Sequence, residues 1–227
     1  MDFANAFFWY TAFVLSTTAH EAAHATAAYL GGDPTAYEGG QVSLNPLPHI
    51  QREPVGMVVM PLAALFLWGW SFGWASTPYD PHWEARYPRR AAWMAAAGPA
   101  TNFAIALLAL IALRIGLETG TFEIPDRVSF SYLVAAEDPF TQNVGTFLGI
   151  LVVLNAILGV FNLMPVPPLD GASAIGLILP ERATERFKEA LTGGGLGSFL
   201  FLLVFLFFGR IFVGPIFRGI LSLLYDV

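Results

Sequence analysis

The sequence predicts an all-α polytopic membrane protein: a helical bundle of about five membrane segments with one broken helix and a small β-like re-entrant loop. Three observations lead there. Of the 227 residues, 56% are hydrophobic and only 12% are charged, half the roughly 25% charged residues of a soluble domain. Mean hydropathy is +0.59. Apolar runs near or above the ~20 residues that cross a bilayer recur at five places. The length suits one compact membrane-embedded domain over 1–227 rather than two.

The first run, 6–30, has no Lys or Arg before it and is too long for a secretion signal, so it reads as a retained membrane helix. Residues 31–54 are rich in Gly, Pro and Asn and contain "GGQVSL", which predicts a β-like loop. Segment 55–75 is apolar but holds Pro61, Gly69 and Gly73, so it either spans or doubles back. A helix over 91–116 follows. The fourth run, 143–179, is broken by "FNLMPVPPLDG" at 161–171, where three prolines remove backbone donors and end the helix. Broken backbone at membrane depth is tolerated only where it is buried in protein or lines a cavity, which marks the break as a functional site. A last helix is predicted over 197–224.

Charge orients these segments. Residues 76–90 and 180–196 carry Arg86, Arg89, Arg90, Arg182, Arg186 and Lys188, whereas 117–142 carries Glu118, Glu123, Asp126, Glu137 and Asp138 against Arg127 alone. Basic loops stay in the cytoplasm, so the acidic one is expected outside and the break toward the cytoplasmic side. The net charge of -6 argues against a nucleic-acid partner. With no cysteine, disulfides and thiolate metal sites are excluded.

The first helix contains "HEAAH". His20 and His24 lie four apart, so on a helix both imidazoles reach one cation, and Glu21 beside them reaches a metal-bound water. This is the zinc metallopeptidase arrangement with glutamate as general base. Zinc with two histidines and a carboxylate keeps one position open for water and lowers its pKa toward ~7. The alternative has both histidines bonded to neighbouring helices and Glu21 protonated. Three ionisable groups inside a membrane helix, at ~2.5 to 3.5 kcal/mol for a charged one near its centre, call for a compensating partner. Among the few acidic residues within apolar runs, Asp170 at the break is the candidate third ligand. It could also cap a short helix over 171–179.

Together, "HEAAH" at 20–24, "GPATN" at 98–102 and "NLMPVPPLDG" at 162–171 resemble the site-2 protease family of intramembrane zinc metalloproteases, in its compact form. The last string fits that family's N-x-x-P-x-P-x-L-D-G pattern at every fixed position. The resemblance implies one zinc on His20, His24 and Asp170, Glu21 as catalytic base, and a transmembrane protein substrate cut within the lipid bilayer. It also implies an integral protein of a prokaryotic plasma membrane.

Other residues complete the expectation. Asn162 is a candidate oxyanion donor, or else satisfies carbonyls freed by the break. In "AAAGPATN", small residues permit close helix approach and Asn102 can bond across helices, so the motif reads as structural. Residues 36–44, in the segment after the metal helix, could pair with an unwound substrate as a β-strand. His49 and His82 read as packing or surface residues. Gln51 stands where the family often has an acid. No segment between the motifs has the length of an inserted PDZ domain, so substrate selection is expected from the core or from other proteins. Two rival functions are a pseudoprotease that retains zinc and a metal or proton transporter. Intact Glu21 and the lack of internal repeats speak against them.

Overall fold

The computed structural model describes residues 3–225. Its first helix, α1 (Phe3–Leu30), is followed by α2 (Thr35–Glu38) and α3 (Pro46–Arg52). Among the described residues there is no strand, so the β-like loop expected over 31–54 is replaced by two short helices. The local cause is Asn45, whose side chain accepts from the Leu47 N–H at 3.0 Å and caps α3, with Pro46 preset for the first helical position. Asp33 ties this excursion to the chain at Asp80. Its carboxylate accepts from the backbone N–H of Thr35 and of Asp80. Burial pushes that carboxyl up, but these donors and the Thr35 hydroxyl outweigh it and hold the group below the usual range.

Segment 55–75 doubles back. A π-helical turn over Val55–Val59 leads into α4 (Met60–Trp68), and the pair α3 and Val55–Trp68 is bent by 112°. Gly69, at φ 79°, supplies the left-handed residue that ends α4. The chain then returns through 71–80 without helix or strand, and the Trp74 N–H donates to the Gly56 carbonyl at 3.2 Å. Residues 56 and 74 are therefore neighbours, and the stretch enters and leaves on one side. At 14 residues, Val55–Trp68 also falls short of a span.

Next come α5 (Pro81–Arg86) and α6 (Pro88–Glu118). A cap over 119–138 follows, then α7 (Pro139–Asn162), α8 (Gly171–Ala174), α9 (Glu181–Thr192), α10 (Leu196–Phe208) and α11 (Gly214–Tyr225). A π-helical turn over Gly209–Val213 joins the last two. Among the described residues, three helical stretches are long and apolar enough to cross a membrane: α6, α7 and Glu181–Tyr225, or four if the bent pair counts as one. Helix α1 has the length, 28 residues, but Ser16, Thr17, Thr18, His20, Glu21 and His24 make it polar. The count of about five is thus not reached.

The two ends of the bundle are distinct. Trp9 donates to Ser131, and the Tyr225 hydroxyl to the Leu133 carbonyl, so the start of α1 and the end of α11 meet the acidic cap. At the other end Trp83 and Arg90 donate to the Gly31 carbonyl, and Lys188 pairs with Glu84 at 2.6 Å. Cores of Trp9, Phe13, Leu65, Ile150 and Leu154, and of Leu113, Leu133, Val152, Val153 and Leu224, fill the interior. Phe66, Trp93, Leu108 and Phe199 point outward, as lipid-facing residues do.

Candidate metal centre

His20 and His24 sit on the buried face of α1, against α6. The loop after α7 brings Asp170 to them. Its Oδ2 lies 3.1 Å from His20 Nε2 and 3.3 Å from His24 Nε2, and the two Nε2 atoms are 3.0 Å apart. Asp170 makes no side-chain cap to α8, so the capping alternative is not the one realised.

The protons on the rings follow from what lies behind them. His24 Nδ1 is 2.7 Å from the Met94 carbonyl, which can only accept, so Nδ1 carries a hydrogen, and in the neutral ring Nε2 is the bare nitrogen. His20 Nδ1 lies 2.6 Å from Asn102 Oδ1, likewise an acceptor. Asp170 Oδ2 is buried with no hydrogen-bond donor. With both rings neutral, its short approach to the histidines is a meeting of three electron pairs with no proton between them. Such a cluster is relieved by a cation. Tetrahedral zinc with ligands at about 2.0–2.2 Å spaces them about 3.3 Å apart, close to the separations found.

Helix α6 is the backing plate. Gly98 faces the two rings where any Cβ would lie within 2.6 Å of them, so only glycine permits this approach. Asn102, one turn on, takes His20. The motif "GPATN", expected to be packing, thus also touches the candidate ligands.

Glu21 lines a cavity of about 230 Å³ together with His24, Thr77, Tyr79 and Asp170. The Thr77 hydroxyl is 2.7 Å from Glu21 Oε2 and 3.0 Å from its carbonyl, which engages one of the two carboxylate oxygens. Tyr79 is pushed up to about 12 by burial and by the charge and hydrogen bond of Glu84, so its phenol stays a neutral donor. A larger cleft of about 620 Å³ joins His20, Glu21 and Asp170 to Asn162, Trp74–Ser76 and Phe205.

The chain belongs to peptidase family M50. The description "Peptidase family M50" fits residues 8–206. Over 193 residues the chain is 30% identical to YwhC of Bacillus subtilis (strain 168), covering 85% of this chain and 77% of that protein. It is also 30% identical over 193 residues to Rip2 of Mycolicibacterium smegmatis, covering 85% of this chain and 64% of Rip2. Both carry zinc metalloprotease names. No solved structure matches. The site-2 protease resemblance is thereby upheld, and the M50 chain is a membrane metalloprotease by family.

The other two histidines are packing and surface residues, as expected. His49 is fully buried and donates from Nε2 to the Ser43 carbonyl, while His82 is exposed, and neither joins the cluster. Residues 42–44 line a groove with Ala19, Ala22 and Ala23, away from the cluster. Thr77, Met94 and Asn155 were not anticipated. Asn155 had a signal, a lone amide in the apolar run "LVVLNAIL". Thr77 had none.

Proposed function

We propose that this M50 peptidase is an intramembrane zinc endopeptidase. In this reading His20, His24 and Asp170 hold one zinc per chain, and Glu21 is the general base. The observation that carries it is the convergence of two imidazole Nε2 atoms and one carboxylate oxygen at 3.0–3.3 Å from one another. A bound zinc there supplies a Lewis acid for the scissile carbonyl and an activated water.

The chain's own groups do the rest. Glu21 accepts the water's proton at Oε1 and returns it to the leaving amine, while Thr77 holds Oε2. Asn162, at the cleft wall, donates to the developing oxyanion. The substrate is a transmembrane segment, unwound because helical hydrogen bonds shield its peptide groups. Pairing of substrate with backbone is supported along 71–80, which borders the cavity, rather than along 36–44.

His24 is six residues from the end of α1, about 9 Å along the axis. That end meets Arg90, and Lys188 lies on the same side, which supports a site opening toward the cytoplasm; the membrane in this reading is the plasma membrane of a prokaryote. The test is elemental analysis joined to a cleavage assay. Wild type and Glu21→Gln should each hold about one zinc, with only the former cutting a transmembrane substrate. Stoichiometric zinc in His20→Ala, His24→Ala and Asp170→Ala would reject the ligand set.

A further inference from the structure

His24 has its tautomer set directly by a backbone carbonyl. His20 does not, because its Nδ1 meets a carboxamide, and a carboxamide can present either oxygen or NH2. What decides is the other side of that carboxamide. Asn102 Nδ2 donates to Asn155 Oδ1 at 2.8 Å, and Asn155 Nδ2 donates to the Leu151 carbonyl at 2.9 Å and to Ser16 Oγ at 2.8 Å. Both asparagines are fully buried.

The Leu151 carbonyl can only accept. Asn155 must therefore turn its NH2 toward it and its oxygen toward Asn102. Asn102 must answer with its own NH2 and leave its oxygen for His20. His20 Nδ1 must then carry a hydrogen, and in the neutral ring Nε2 is left with its electron pair toward His24 and Asp170. The chain of bonds passes from α1 to α6 to α7 and returns to α1 at Ser16, one turn before His20.

We propose that Asn102 and Asn155 form a polarity relay that fixes the Nδ1–H tautomer of His20 from the Leu151 carbonyl and so prepares Nε2 as a metal ligand. Both are positioning residues. The proposal rests on the zinc reading for its benefit, but the tautomer itself exists without metal. A reversed relay would put NH2 groups of Asn102 against Nδ1 and of Asn155 against Asn102, and two carbonyl oxygens would meet at Leu151. The first two contacts stay hydrogen-bonded, with Nδ1 bare, but the last forfeits the Leu151 hydrogen bond and opposes like dipoles in a buried interior, which disfavours the reversed relay.

The test uses full-length protein in detergent with two readouts. One is the zinc Kd by chelator competition. The other is the 15N spectrum of the His20 imidazole in metal-free protein, which separates Nδ1–H from Nε2–H. Asn102→Leu should weaken zinc by about 10–100-fold, the usual effect of losing a partner of a ligating histidine. Asn155→Leu should weaken it by about tenfold and admit the Nε2–H form, although it touches neither ligand nor metal. In the Asn102→Leu background Asn155→Leu should add nothing, since the relay is already cut. Asn102→Asp keeps an acceptor for His20 whatever stands behind it. Zinc binding should persist there, and Asn155→Leu on top of it should again add nothing.

Multiplying effects in either double variant would overturn the relay. So would a purely Nδ1–H ring in Asn155→Leu. If wild type binds no zinc, the metal reading fails while the imidazole spectrum still decides the relay. If Asn155→Leu does not fold, Asn155→Ser, which cannot bridge to Asn102, takes its place with the same expectations.

Discussion

Gly98→Ala is the smallest change that tests the metal centre. The added carbon would lie 2.4 Å from His24 Nε2 and 2.5 Å from His20 Nε2, while ordinary contact begins at 3.4 Å. The rings must therefore retreat by about 1.0 and 0.9 Å, the differences between those distances, to regain ordinary packing. Metal sites tolerate about 0.2 Å in their ligand distances. Both histidines move too far to share one ion, so zinc affinity should fall by more than the roughly 100-fold that loss of one outer partner can cause. The fold should survive. Overpacking costs about 1–3 kcal/mol, and replacing glycine inside a helix returns about 0.8–1.0 kcal/mol, for a net loss of about 0–2 kcal/mol. Zinc per chain after dialysis against a chelator, and the melting temperature of metal-free protein, measure the two effects separately. Leu113→Ala, a fully buried core residue far along α6, is the opposite control. It should cost about 2–5 kcal/mol and leave zinc in place. Gly98→Ala that retains a full zinc at wild-type affinity would refute the geometry.

Three further outcomes are expected. Thr77→Val keeps the side chain's shape but removes the donor to Glu21; a hydrogen bond to a charged group is worth about 1.5–3 kcal/mol, so kcat should fall about 10–100-fold with zinc retained. Ala75→Pro, which removes a backbone donor beside the cavity, should slow cleavage, and substrates with Gly, Pro or Asn near the scissile bond should outpace their Leu counterparts; equal rates in both comparisons would discard substrate pairing along 71–80. A cysteine at Arg89 should resist an impermeant thiol reagent added outside cells while one at Ile124, which is 65% exposed on the acidic cap, reacts; the reverse pattern would invert the topology.

Much of this was legible because its signals are local. The i, i+4 histidines, the three prolines after Asn162 and the long apolar runs of α6 and α7 each carry their meaning within a few residues. Asp170 was legible because acidic residues in apolar runs are few. The failures came from tertiary placement. A run such as 55–75 is apolar whether it crosses or returns, and only the meeting of Trp74 with Gly56 decides. The "GGQVSL" stretch looks β-prone, yet it has no neighbouring strand to pair with, and Asn45 starts a helix directly after it. Thr77 is an ordinary loop threonine in the sequence and gains its place only because the return stretch passes Glu21.

Two demands on α1 pull against each other, and α6 reconciles them. A helix carrying Ser16, Thr17, Thr18, His20, Glu21 and His24 cannot face lipid with those groups, and the hydrophobic effect supplies little drive for helix association inside a bilayer. Close packing and hydrogen bonds must do it. On α6, Ala91 packs with Ala28 of α1 and Gly98 faces both imidazoles, so small residues let the backbones approach. That approach brings the Met94 carbonyl and the Asn102 amide against the imidazoles, satisfying the polar face that would otherwise oppose burial. The contacts that seat α1 in the bundle are therefore the ones that aim both Nε2 atoms at Asp170. Assembly of the helices and preparation of the metal centre are one event, and a metal that binds only the assembled form stabilises it by mass action. Gly98 and the asparagines thus act on stability and on metal affinity through the same few ångströms of helix contact.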